Sequence, residues 1–163
     1  MRARLEAHLG SAQVARVVYG AIIGLALVVA LGAHPPAAGT MAASLLGTAV
    51  AVALAELYAE VVGAETRERH RVTRRQLAHM LDGAVAVAFG VAFPAVFFVL
   101  AGLGAFELDR AFALAKWTGL GLIAFYGFCA ARLAGATVAR ALMQAVSVAA
   151  IGGAVIAFKA LIH

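Results

Sequence analysis

Glu56 and Glu60 have the clearest capacity for chemistry in this chain, because they place two carboxylates inside the long apolar run from Gly39 to Gly63. An ionisable group in hydrocarbon costs about 2.5 to 3.5 kcal/mol on insertion, so each needs a reason. Spaced i, i+4, the two share one helix face, with Tyr58 on the opposite side and Glu65 further along. A carboxylate pair of this kind can ligate a divalent cation through hard oxygens, or hold a shared proton because like charges raise one of the two pKa values. The same spacing also fits a helix end at the headgroup region, with both glutamates paired to nearby arginines.

Other polar residues fall into two groups. Asp82 is expected to open the third helix, where a carboxylate suits the positive end of the helix dipole, and it doubles as a transport candidate beside the glutamates. Glu65, Glu68, His70 and His79 lie in or beside the one strongly polar stretch and are secondary candidates for metal or proton binding, or simply solvated surface groups. Lys116 and Trp117 read as anchors just inside the end of the fourth helix, where lysine snorkels and tryptophan prefers the interface. Gln144 and Ser147 read as interhelical hydrogen-bonding groups, His34 as a loop residue, and the single Cys129 as a buried inert thiol.

Positioning these groups falls to helices that live in lipid. The 163 residues are 64% hydrophobic and 13% charged, about half the charge of a soluble domain. A crossing helix needs about 20 mostly apolar residues to satisfy its own backbone in hydrocarbon. Five segments qualify, at about 15–32, 39–63, 80–102, 111–131 and 139–162, forming one all-α membrane domain over residues 1–163. Met1 to Ala15 carries Arg2, Arg4, Glu6 and His8 and lacks the apolar core of a cleavable leader. Pro35 and Pro36 stop the first helix after His34, and the basic connector 64–79 extends the helices that flank it.

Loop charge sets the expected orientation. Arg2, Arg4 and Arg16 precede or begin the first span, the first loop has no basic residue, and the connector has Arg67, Arg69, Arg71, Arg74 and Arg75. Arg110 stands alone in the third loop, Arg132 and Arg140 flank the fourth, and Lys159 lies near the C-terminal end. The positive-inside rule therefore puts the N-terminus in the cytoplasm and His163 outside the cell membrane. The basic residues are dispersed between apolar segments, which points to anionic lipid headgroups as partners and away from nucleic acid, despite a pI near 10.1. No phosphate loop, nucleophile with a base, or paired His or Cys motif marks an enzyme.

The order of these features resembles the vacuolar iron transporter family, over most of the chain. The local matches are Phe89-Gly90-Val91-Ala92-Phe93-Pro94, similar to that family's Gly-x-x-x-Pro run, Gly127 to Leu133 leading into Arg140, and Gly152-Gly153. Tyr19-Gly20 stands where the family has Asp-Gly, and Ala55 to Glu60 stands near its Gly-Glu-Tyr position without the accompanying methionine. The resemblance implies a transporter of a divalent metal cation of the Fe2+ or Mn2+ class, coupled to proton exchange. It further implies a homodimer, with Glu56 and Glu60 at the site and Tyr19 and Asp82 as neighbours. Gly90 and Pro94 would shape the third helix, since a proline there frees a carbonyl one turn earlier. The same fold without the metal site would be a membrane scaffold, or a proton conductor working through the glutamates alone.

Overall fold

The computed structural model describes residues 11–162, with side-chain environments for residues 13–150, 152–154 and 157. The charges at Arg2, Arg4, Glu6 and His8, the terminal His163 and the side chain of Lys159 lie outside the described residues. Every regular element within them is helical: α1 (Ser11–Leu31), α2 (Ala38–Glu68), α3 (Arg74–Ala92), α4 (Ala95–Gly102), α5 (Leu108–Leu133) and α6 (Val138–Ile162). Helices α1, α2 and α5 are long and apolar enough to cross a membrane, and α3 and α4, bent by 49° at their junction, are so only when taken together as one broken span. This is the architecture of a multi-pass membrane protein.

Pro94 causes the bend. Its nitrogen has no proton to return to the carbonyl of Gly90, and the ladder restarts beyond it with Phe97 N–H donating to Pro94 O at 3.2 Å. The expected third span of 80–102 is thus two helices, and it begins earlier, at Arg74.

Helix α2 is the longest at 31 residues, about 46 Å at 1.5 Å per residue, so it overshoots a hydrocarbon core of about 30 Å. Its last turns carry the connector sequence as helix. Only residues 69–73 interrupt the path to α3, with Arg69 closing α2 in the left-handed region at φ 54°. Thr73, and not Asp82, caps α3: its hydroxyl accepts from Gln76 N–H while the Gln76 side-chain oxygen accepts from Thr73 N–H at 2.9 Å. Asp82 lies two turns inside α3, exposed to the surroundings, because the helix starts eight residues sooner than the apolar pattern suggests.

The second helical hairpin repeats the first. Each buried position of the first hairpin from Val14 to Ala49 has a buried counterpart 70 residues later: Gly20 with Gly90, Leu25 with Ala95, Val28 with Phe98, Met41 with Ala111. The contacts repeat as well. A Cβ on Gly20 would strike Val87 O, and a Cβ on Gly90 would strike Val17 O, so each glycine meets the counterpart of the residue that meets the other. Thr48 and Thr118, 70 positions apart, each donate to the carbonyl four residues earlier. Such reciprocal pairing between the parallel helices α1 and α3 describes a pseudo-two-fold axis running along them through the Gly20–Gly90 crossing.

Around that axis α2 packs on α3 and α5 packs on α1. At the hairpin ends the core gathers Val28, Met41, Leu45, Phe98 and Phe112, with the two phenylalanine rings edge to face at 4.8 Å. Helix α6 covers only one side, on α5 and α1, where Gly152 brings its backbone against Leu120, Leu25 and Ile123. Gln144 and Ser147 do not bridge helices from α6, because both are exposed and the Ser147 hydroxyl donates to Met143 O of its own turn.

Candidate functional site

The two glutamates meet a partner that the loop-charge reading assigned elsewhere. Arg16 is part of α1, in its second turn, and its guanidinium ion-pairs with Glu60 through Nη2 and lies 3.9 Å from Glu56 through Nε. The arginines paired to the carboxylates are therefore not those of the connector. With side chains 26% (Arg16), 30% (Glu56) and 22% (Glu60) exposed, the three groups form a half-buried cluster facing inward between α1, α2 and α3.

Gly83 of α3 makes the reach possible. A side chain there would occupy the space of the Arg16 guanidinium, so the absence of a Cβ leaves a passage across the face of α3 from α1 to α2. The glycine is buried and its neighbour Asp82 is exposed, which separates the two chemically although they are adjacent in sequence. Three helices thus meet at one charged group. Two carboxylates share one guanidinium, so the cluster carries one negative charge beyond neutrality when both acids are ionised.

The other expected site residues are dispersed. Tyr19 is 52% exposed and forms no hydrogen bond or ion pair among the described residues, and Asp82 likewise forms none. Glu65, Glu68 and His70 are held within the connector: Glu65 accepts from Val72 N–H at 3.3 Å, and Glu68 accepts from Gln76 Nε2 at 3.0 Å and pairs with His70 at 3.2 Å. His79 stands apart on α3, exposed. Among the described residues no three His, Cys, Asp or Glu side chains gather as a metal centre would require. Lys116 and Trp117 lie eight and nine residues inside α5, deeper than anchors at the helix end, with Trp117 pointing outward at 73% exposure.

Pro94 and Gly90 take part in the frame and not in the polar cluster. The Gly90 carbonyl that Pro94 leaves without its helical donor lies alongside Gly24, whose missing Cβ lets α1 approach. Arg16 and Gly83 are the functional-site residues that reading the pattern by loops overlooks. A signal for the first exists, since an arginine within an apolar helix calls for a carboxylate at the same depth in a neighbouring one.

The cluster belongs to one half of the repeat alone. Seventy positions away, Arg16 corresponds to Ala86, Glu56 to Tyr126 and Glu60 to Ala130, while Gly83 corresponds to Gln13. The halves share a frame and differ in charge. Comparison with protein-family models, with curated proteins and with solved structures finds no match to this chain.

Proposed function

We propose that this chain is a five-span cell-membrane transport protein that moves protons through the Arg16–Glu56–Glu60 cluster. The fifth span is α6, and the distribution of loop arginines favours an N-terminus in the cytoplasm and a C-terminus outside. The observation that carries the reading is the two-to-one ratio of carboxylates to guanidinium in a half-buried site between three helices. A single proton neutralises the excess charge while Arg16 stays in place. Release of that proton restores the excess negative charge, and Arg16 keeps a carboxylate partner in both states.

Divalent-cation transport of the Fe2+ or Mn2+ class is the second reading, favoured by the i, i+4 carboxylates and by the resemblance to the vacuolar iron transporter family, which also implies a homodimer. It requires Arg16 to withdraw, because a dication and a guanidinium compete for the same Glu60 oxygens. The two readings part in one assay. Purified protein in liposomes containing a pH-sensitive dye, driven by a potassium diffusion potential, is expected to pass protons, and Glu60→Gln is expected to abolish the flux. Absence of proton flux in the wild type, with Fe2+ or Mn2+ uptake that disappears in Glu56→Gln/Glu60→Gln, replaces the first reading with the second. Absence of both overturns transport and leaves the cluster as a strap in a membrane scaffold.

A further inference from the structure

The connector between α2 and α3 concentrates net positive charge on a short exposed edge. Arg67, Arg69, Arg71, Arg74 and Arg75 fall within nine residues, all exposed, and none forms an ion pair among the described residues. The acids beside them are already engaged: Glu65 by the Val72 amide, Glu68 by Gln76 and His70. The capping box at Thr73 and the left-handed closure at Arg69 hold the intervening backbone in a tight turn. The arginines therefore sit on an ordered edge, and the geometry leaves their guanidinium groups free for an outside anion.

What lies next to that edge identifies the anion. Leu54, Tyr58 and Val62 form an exposed stripe on α2 that runs toward Arg67 and Arg69, and Leu77, Leu81 and Val85 form one on α3 that begins one turn after Arg74. Each helix thus presents an apolar surface ending in arginine. An anionic phospholipid has the matching order, with acyl chains below and a phosphate above, and guanidinium donates to phosphate through a planar fork. A nucleic acid or an acidic peptide would use the arginines but not the apolar stripes.

We propose that the α2–α3 edge is a binding surface for anionic phospholipid, with Arg69 and Arg74 contacting the headgroup phosphate and the stripes at Val62 and Leu77 receiving the chains. The surface is independent of the Arg16 cluster and binds whether or not the chain moves protons. At about fivefold in affinity per arginine near a membrane surface, removing two arginines should produce a large loss.

The test uses the full chain reconstituted in phosphatidylcholine vesicles, with a trace of spin-labelled phosphatidylglycerol or spin-labelled phosphatidylcholine, and reads the motionally restricted lipid fraction. The wild type is expected to restrict phosphatidylglycerol several-fold more than phosphatidylcholine, and Arg69→Gln/Arg74→Gln to lose most of that preference. Arg69→Lys/Arg74→Lys, which keeps the charge and the same positions, should retain most of it, and Arg132→Gln/Arg140→Gln at another loop should leave it nearly intact. Equal restriction of the two lipids by the wild type overturns the proposal. So does a preference unchanged in the Gln pair, or one displaced by millimolar glycerol phosphate, which would show a soluble-anion site with no part for the apolar stripes.

Discussion

Arg16 reaches Glu60 across Gly83, so an arginine on one helix pairs with a glutamate on a second through the missing side chain of a third. The relationship makes Gly83 and Arg16 energetically dependent on each other. Gly83→Ala should destabilise the protein by no more than about 1 kcal/mol, because the new methyl group displaces the flexible end of Arg16 and weakens its ion pair while alanine favours the helix. In an Arg16→Ala background the same change should cost little. The difference, a coupling within the roughly 0.5 to 3 kcal/mol range of residues in contact, can be measured by unfolding in mixed micelles. Equal costs in both backgrounds would mean that Arg16 does not cross α3 at this glycine.

The axis of the repeat gives a second prediction. Gly20→Ala and Gly90→Ala each push a methyl group into the backbone of the facing helix and should each destabilise by about 1 to 3 kcal/mol. Gly47 meets nothing within 4 Å, so Gly47→Ala should be neutral or stabilise by up to about 1 kcal/mol through helix propensity. The comparison requires only melting temperatures in one detergent, and a larger drop for Gly47→Ala than for Gly20→Ala would contradict the crossing.

Thr73 sets where α3 begins. Thr73→Ala removes the hydroxyl that accepts from Gln76 N–H and should cost about 1 kcal/mol, whereas Thr73→Ser or Thr73→Asp should preserve most of the stability. Asp82→Ala, two turns inside the helix, should leave it nearly unchanged. Amide exchange over residues 74–77 reports the difference directly.

Topology is open to chemical labelling. With Cys129→Ala as background, single cysteines at His70 and Gly135 are expected to react with a membrane-impermeant maleimide from one side, and those at His34 and Gly104 from the other. Labelling of His70 and Gly104 from the same side would be incompatible with α3 and α4 forming one bent crossing.

Much of the helical frame was legible from physics that acts locally. Apolar runs of spanning length, Pro35 and Pro36 after His34, and the bend at Pro94 all follow from backbone chemistry at those residues. That the connector prolongs α2 and α3 was legible in its polar, proline-free sequence, but the helix ends at Glu68 and Arg74 were not, because hydropathy loses its signal where helical hydrogen bonds persist into polar surroundings. The polar cluster was half legible. Glu56 and Glu60 stand out against their apolar neighbours, but Arg16 looks like a boundary charge when each loop is counted separately, and Gly83 like one small residue among many. The 70-residue repeat was hidden because it lives in burial and contact, while its paired residues, such as Leu25 and Ala95 or Met41 and Ala111, are of different sizes.

A frame present twice with its charge present once has a mechanical consequence. The reciprocal glycines at the crossing let the two hairpins bear on each other as equals, yet among the described residues only the first hairpin is tied across α3 by an ion pair. Protonating one glutamate leaves Arg16 tied to the other, whereas losing both carboxylates would free α2 from α1 on that side of the joint and leave the side packed by α6 unchanged.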